Sequence, residues 1–383
     1  MNRFPRGQTG ILGSATFGMG ESPGYTALEL AAQASLAAVA DAGLQLKDVD
    51  GVFVALPEDQ FSGLSLSEYL GVNPAITDNN RVGGSSFLTH AIVAALALEA
   101  GLCNVALIAY GSNQRSATGK LVSPSRGFTY ETLYRPNYPI SGYALSAARH
   151  MYQYGTTRRQ MAEVAVAARQ WAQLNPDAFM RDPLSIEEVL AARMVSDPLT
   201  ARDCCLVTDG AAAVIMTRAD MLRDGPHKPV FLLGGAAAMT HRNIIAMKDL
   251  TVTAAAESGP RAFAAAGLRP ADVDVVQLYD AFTINPILFL EDLGFCKKGE
   301  GGAFVENGRI APGGELPVNT NGGGLSCVHP GMYGLFTMVE ATRQLQGRCD
   351  ARQIKDANVA LAHGNGGVLS SQATLLFGTE ATL

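Results

Sequence analysis

One stretch of eleven residues occurs twice. Ala42-Gly-Leu-Gln-Leu-Lys-Asp-Val-Asp-Gly-Val52 returns as Ala266-Gly-Leu-Arg-Pro-Ala-Asp-Val-Asp-Val-Val276, identical at seven of eleven positions and offset by 224 residues. In each copy an alanine-rich helical pattern runs into a glycine, as a left-handed C-cap requires, and Asp-Val-Asp then leads into an apolar strand. A second match keeps the same order: Asn104-Val-Ala-Leu107 returns as Asn358-Val-Ala-Leu361, each heading a short strand. Between the two matches, each half sets a glycine-rich loop (Gly83-Gly84-Ser85-Ser86; Gly322-Gly323-Gly324) before an amphipathic helix that ends at Gly101 or Gly347. Four common residues carry little alone; three features in one shared order indicate duplication. Helices alternating with buried strands such as Val105 to Ala109 and Val273 to Leu278 imply α/β layers.

The duplication divides the chain into an N-terminal half, residues 1–224, and a C-terminal half, 225–383, with the boundary near the turn from Asp224 to Pro229. The offset grows from 224 to 254 between the two matches, so the second half carries extra residues, best placed in the glycine-rich stretch Gly299–Asn321. A loop of that length inside a compact domain is usually functional. The first half has an excursion at about residues 111–197, with an aromatic and basic loop (Tyr130, Tyr134, Tyr138, Tyr143) and a helix over Arg158–Gln173. Its composition fits a cover over a ligand cleft or, nearly as well, an interface surface.

With 48% hydrophobic and 17% charged residues, the chain has the composition of a packed globular enzyme. A net charge of −6 offers no field for a nucleic-acid backbone, so nucleic acid is excluded as a partner. Six scattered cysteines without a C-x-x-C pair read as reduced thiols rather than disulfides or a zinc site, so no metal is expected and the compartment reads as cytoplasmic. Glycines at 10, 13, 18 and 20 break any signal-peptide core, and the most apolar helix, Phe87 to Ala100, is too short to span a bilayer. No membrane association is expected.

Three segments carry a family resemblance across essentially the whole chain: Asp203-Cys-Cys-Leu-Val-Thr-Asp-Gly-Ala-Ala-Ala213, Tyr279-Asp-Ala-Phe282, and Asn319-Thr-Asn-Gly-Gly-Gly-Leu-Ser-Cys-Val-His-Pro-Gly331. Together they resemble the thiolase superfamily, in its sterol-carrier-protein-type and lipid-transfer-protein branch. The resemblance implies the α/β thiolase fold, with two duplicated five-layered (αβαβα) halves around a pseudo-twofold axis. It also implies a site where loops from both halves meet, and a dimer as the minimal unit.

The catalytic residues depart from the thiolase pattern. A thiolase needs a nucleophilic cysteine at the start of the first-half helix, because a thiolate carries the acyl group between partial reactions. Here that loop reads Asn79-Asn-Arg-Val-Gly-Gly-Ser-Ser-Phe87, without a cysteine. Ser85 is a candidate substitute, but a serine needs a paired base, and Ser85 and Ser86 read more simply as N-cap residues. Where the relatives have His-Asp-Cys-Phe, this chain has Tyr279-Asp-Ala-Phe282, so the second catalytic sulfur is also missing. His329, in the element that resembles the Gly-His-Pro motif, is the candidate for holding the thioester oxygen. Gly84, Gly323 and Gly324 are candidate oxyanion or close-approach positions. His363, in His363-Gly-Asn-Gly-Gly367, is a candidate for substrate orientation or proton transfer, with a strand-end histidine bonded to backbone as the equal alternative. Asp280 reads as a loop anchor. Cys327, two residues from His329, is the fallback nucleophile and the only thiol expected near the chemistry.

Tyr279 with both sulfurs lost resembles the steroid side-chain aldolases of this branch, in which a tyrosine serves as acid/base on a β-hydroxyacyl-CoA. Those aldolases carry a second tyrosine where this chain has His329. The reading is an enzyme on acyl-CoA thioesters that makes or breaks a carbon–carbon bond without an acyl-cysteine. An acetyl-CoA acetyltransferase with an unrecognised nucleophile, and a non-catalytic acyl-CoA-binding subunit, are the alternatives. CoA thioester is implied as substrate, with no tightly bound cofactor. Arg115, Arg126, Arg158 and Arg159 are candidates for its nucleotide. The resemblance further implies a homodimer or higher oligomer and a small partner protein with a zinc ribbon and an OB-type domain.

Overall fold

The fold comes from a computed structural model that describes residues 4–118 and 130–383. The first half runs β1 (Thr9–Gly20), α1 (Ala27–Asp41), β2 (Gly51–Val54), α2 (Ser62–Leu70), β3 (Ile76–Asp78), α3 (Ser86–Glu99) and β4 (Val105–Ser112). The excursion then contributes α4 (Gln114–Thr118), α5 (Ile140–Tyr154), α6 (Arg158–Gln173), α7 (Ile186–Ala191) and a ribbon of β5 (Met194–Ser196) and β6 (Leu199–Thr200). β7 (Asp209–Arg218) and α8 (Ala219–Arg223) complete this part. After residues 224–229 come β8 (Val230–Met239), α9 (Ala255–Ala266), β9 (Val275–Leu278), α10 (Ile284–Asp292), α11 (Gly301–Phe304), α12 (Gly334–Gln346), β10 (Val359–Gly366) and β11 (Ser371–Gly378).

The two sequence matches are bonded to one another in both copies. Asp50, the last acid of the first Asp-Val-Asp, accepts the backbone N–H groups of Asn104 and Val105, each at 2.8 Å. Asp274 accepts those of Asn358 and Val359 at 2.7 and 2.9 Å. The earlier acids, Asp48 and Asp272, accept from Gln45 and Arg269, so each motif closes its turn and then ties the head of the next strand. Gly43 and Gly267 adopt φ of 71° and 67°, the left-handed conformation that ends each preceding helix. A third equivalence had no sequence signal: Gly13 on β1 and Gly234 on β8 each lie against the last turn of the alanine-rich helix, where a Cβ would come within 2.5 Å of the Ala38 or Ala262 carbonyl.

Nine strands form one sheet in the order β3-β2-β4-β7-β1-β8-β11-β10-β9. Outward from the β1–β8 seam, the two sides repeat the same succession of strands, as a pseudo-twofold relation demands. The parallel pairs are β2 with β3 and β4, and β9 with β10. Beside β9, where the first half has β3, the described residues of the second half form only the bridge from Val276 to Val318. The inserted stretch before Asn319 therefore fills the edge that a third strand occupies in the first half. α12 is buried almost throughout and α3 along one side, with Val93 and Leu96 exposed, and the two meet at their N-termini, where a Cβ on Gly334 would overlap the Gly84 carbonyl.

Candidate active site

A cavity of about 570 Å³ opens where these two helix N-termini meet the carboxyl ends of β2, β9 and β10, the usual ligand position in α/β sheets. Both halves and the excursion line it, the excursion through Pro139 and Tyr143. Tyr143 is buried, whereas Tyr130 and Tyr134 of the same aromatic segment face solvent. Part of the excursion thus walls the cavity, as a cover would.

His329 lines the cavity with its backbone fixed and its ring free. Its N–H donates to Thr208 Oγ1 at 2.9 Å and its carbonyl accepts from Gln114 Nε2 at 2.7 Å. The residue is 97% buried, yet neither ring nitrogen has a hydrogen-bond partner among the described residues. Burial lowers its pKa to about 4, so the imidazole is neutral near pH 7, with one donor and one acceptor.

Tyr279 follows β9 into the same cavity. Its ring meets His329 edge to face, with centroids 5.5 Å apart. Its hydroxyl donates to the Gly331 carbonyl at 3.0 Å and accepts the Tyr333 N–H at 3.3 Å. Burial pushes this hydroxyl well above the ordinary tyrosine range, so it holds its proton at neutral pH. Gly84 lies flat on the Tyr279 ring, in space that a Cβ would occupy.

The remaining candidates separate. Gly323 and Gly324 do not line the cavity: their N–H groups donate inward to Asn321 Oδ1 and Asp280 Oδ1, at 2.8 and 2.6 Å. Asp280 also accepts from the Leu325 N–H at 3.3 Å, as a loop anchor does. Burial raises its pKa to about 7 despite these donors. The glycine amides are thus already used and not free for an oxyanion.

Ser85 is at the N-cap position but makes no side-chain cap; its buried hydroxyl donates to Ser371 Oγ at 2.9 Å, and no base bonds it among the described residues. Ser86 does not cap either, its hydroxyl accepting the Val82 N–H instead. Cys327 faces away from the cavity, toward a small void with Asn175, and burial pushes its thiol far up. The thiol that lines the cavity is Cys205, not Cys327.

His363 does not line the cavity either. Its Nδ1 meets Thr374 Oγ1 and its Nε2 meets Gln372 Oε1, both at 2.9 Å, and burial lowers its pKa to about 3. It connects to the cavity indirectly. Gln372 donates to Asn365 Oδ1 at 2.7 Å, and Asn365 donates to the Tyr143 hydroxyl at 2.8 Å. Tyr143 in turn donates to the Gly367 carbonyl at 3.0 Å, so one chain of donors runs from the buried ring to the wall.

The four arginines expected at the nucleotide also lie elsewhere. Arg115 pairs with Glu21, Arg159 with Glu187, and Arg158 donates to the Leu190 carbonyl; Arg126 lies outside the described residues. The cavity is instead lined by Arg81 and Arg242, with His241 beside them. Nothing in their local sequence distinguished them.

Comparison with known proteins identifies the class. Residues 236–379 match the family described as thiolase C-terminal domain-like. The chain is 33% identical to the acetyl-CoA acetyltransferase of Methanothermobacter thermautotrophicus, with 96% of this chain and 98% of that protein covered. It is 30% identical to the steroid side-chain-cleaving aldolase of Thermomonospora curvata, with 94% and 96% covered. A solved Ltp2-ChsH2(DUF35) aldolase superposes with a TM-score of 0.88 at 30% identity, covering 98% of each chain. The chain belongs to the thiolase superfamily. Within it, the chain falls in the sterol-carrier-protein-type branch that includes thiolase-like aldolases.

Proposed function

We propose that this chain makes or breaks a carbon–carbon bond beside a CoA thioester, in the retro-aldol or condensation sense, without an acyl-cysteine. One observation carries this reading: a buried, neutral imidazole with two unpartnered nitrogens faces a cavity beside a tyrosine hydroxyl. His329 would donate one N–H to the thioester oxygen as negative charge builds there, worth several kcal/mol in a dry site. In retro-aldol cleavage the proton of the β-hydroxyl ends on the α-carbon. Tyr279, which holds its own proton, can relay it: its hydroxyl leaves the Gly331 carbonyl and passes its proton to the α-carbon while it takes up the β-hydroxyl proton as the bond breaks. His363, held by Gln372 and Thr374, serves as a positioning residue through Asn365 and Tyr143.

Cys205 favours a second reading, acyl transfer as in the acetyltransferase relative, because its thiol lines the same cavity. Burial pushes that thiol well above its ordinary range, so it would need a base to become a nucleophile. Intact-mass spectrometry after incubation with a short acyl-CoA and with a β-hydroxyacyl-CoA separates the two. An added acyl mass mapping to Cys205 would overturn the non-covalent reading. No adduct, with aldehyde or ketone released, is the expected result. Protein that binds both ligands yet yields neither adduct nor product would be a non-catalytic acyl-CoA-binding subunit.

The proposed assembly is a cytoplasmic homodimer of chains with halves 1–224 and 225–383, working without a tightly bound cofactor. Among the described residues β3 leaves one sheet edge unpaired, and α2, which packs on Thr77 through Gly63, exposes Leu64 and Tyr69, with its N-cap Phe61 exposed beside them. A second copy pairing there would satisfy the edge and cover that face. A small zinc-ribbon and OB-type partner is proposed as well, in keeping with the two-component name of the solved aldolase.

A further inference from the structure

Side-chain hydroxyls hold the turn that leads from His329 to Tyr333. Gly331 at its centre has a φ of 98°, with the Pro330 carbonyl and the Met332 N–H on either side of it. In a γ-turn those two groups would bond each other directly. Here the Tyr110 hydroxyl stands between them: it donates to the Pro330 carbonyl and accepts the Met332 N–H at 3.1 Å. Tyr279 repeats the pattern one residue later, donating to the Gly331 carbonyl and accepting the Tyr333 N–H. Two tyrosines, one from each half, thus interleave along four residues. Tyr110 lies at the carboxyl end of β4, is fully buried and does not line the cavity. Its ring packs on Phe87 with centroids 5.0 Å apart, and Ser112 makes a further hydrogen bond to its hydroxyl.

Resting on the role given to Tyr279 above, we propose that Tyr110 is a positioning residue: by holding the two peptide groups that flank Gly331, it fixes the carbonyl on which the Tyr279 hydroxyl rests between proton transfers. The need follows from the chemistry. Tyr279 must leave that carbonyl to reach the α-carbon, and a turn held by Tyr279 alone would relax each time it left. The Gly331 carbonyl shares a rigid peptide plane with the Met332 N–H. If that N–H turned to meet the Pro330 carbonyl, the Gly331 carbonyl would swing away with it. The Tyr110 hydroxyl blocks this movement by keeping both groups occupied. One tyrosine therefore holds the turn permanently, and the other is free to let go and return to the same acceptor.

Steady-state kinetics on a cleavable β-hydroxyacyl-CoA test the assignment, using Tyr110→Phe, Tyr279→Phe and the double variant, with CoA affinity from titration calorimetry. Tyr110→Phe is expected to lower kcat roughly tenfold, the effect of removing about one hydrogen bond, with CoA affinity unchanged. Because Tyr110 acts through Tyr279, it should cause no further loss in the Tyr279→Phe background. An equal loss in that background would make Tyr110 structural and overturn the assignment, as would a Tyr110→Phe protein with wild-type kcat. Amide hydrogen exchange read by NMR on Tyr279→Phe tests the same idea whether or not the Tyr110 variant folds. The Tyr333 N–H should exchange faster while the Met332 N–H keeps its wild-type protection. Loss of protection at both would show that the turn depends on Tyr279, and the proposal would fall. Wild-type kcat in Tyr279→Phe would sink the reading of Tyr279 and this inference with it; a slow Tyr279→Phe beside an unaffected Tyr110→Phe sinks only the present inference.

Discussion

Replacing His329 and His363 by phenylalanine should move stability in opposite directions. Both rings are buried and neutral, but only His363 has partners. An unpaired buried polar group destabilises a fold by about 1–3 kcal/mol. His329→Phe removes two such atoms at a cavity wall with room for the larger ring, so a gain of about 1–2 kcal/mol is expected. His363→Phe strands Gln372 Oε1 inside the core, takes from the Thr374 hydroxyl one of its two partners and leaves it only Ser258, and should lose about 2–5 kcal/mol. With an unfolding entropy of about 2 cal/mol/K per residue, 1 kcal/mol moves the midpoint of a 383-residue chain by about 1 °C. Scanning calorimetry should therefore show His329→Phe melting slightly above wild type and His363→Phe several degrees below. The same His329 variant should lose roughly 100- to 1000-fold in kcat on a cleavable acyl-CoA, the usual effect of deleting an oxyanion donor. A His329→Phe protein destabilised as much as His363→Phe would mean that the imidazole has an internal role, and the reasoning from its unpaired nitrogens would be refuted.

Tyr279→Phe should lower kcat by about 100-fold or more while leaving CoA affinity unchanged, a split that steady-state kinetics with calorimetry resolves; parallel loss of both would make the hydroxyl structural. Acid should destabilise the fold. His90 and His329 have pKa values lowered to about 4 and His363 to about 3, so below pH 6.5 the unfolded chain takes up protons that the folded chain refuses. By pH 5 each histidine contributes a loss of about 2 kcal/mol. Asp280, raised to about 7, works in the opposite sense and returns about 2 kcal/mol as it protonates. The urea midpoint should thus fall by the equivalent of about 4 kcal/mol between pH 7 and 5, and a midpoint that rises would contradict the burial argument. Leu64→Glu, at an exposed position on α2, should leave the melting temperature in place but shift the sedimentation mass from dimer to monomer. A dimer that survives this change uses another surface.

The duplication was legible because its matched residues carry hydrogen bonds that any copy of the fold needs. Asp50 and Asp274 hold the next strand by its first two amides, and Gly43 and Gly267 turn the chain with positive φ. The Arg158–Gln173 helix was legible for a similar local reason, since Thr157 and Gln160 form a reciprocal cap at its start. Local sequence says less about which way a side chain faces. Cys327 is close to His329 in sequence, yet it points to a different void, because a π-turn over Gly323–Cys327 carries it away before the chain straightens at Val328. Cys205 reaches the cavity through a backbone bond from its N–H to the Ala281 carbonyl, a contact across 76 positions. The rim arginines come from loops after β3 and β8, at remote points of the two halves.

The two histidines show where more could have been inferred. Thr374 is the direct cross-strand neighbour of His363 in the β10–β11 ladder, and Gln372 is two residues away on the same strand. Once His363-Gly-Asn-Gly-Gly367 is read as a strand running into a tight reversal, the register sets a hydroxyl opposite the imidazole, and a partnered histidine follows. His329 has no such neighbour to infer. Its backbone is bound by Thr208 and Gln114 from the first half, and those bonds leave the ring over the cavity with neither nitrogen hydrogen-bonded among the described residues. An unpaired imidazole held this firmly is stable only because the fold supports it elsewhere. That same arrangement spares a thioester the work of reorganising its own oxyanion partner.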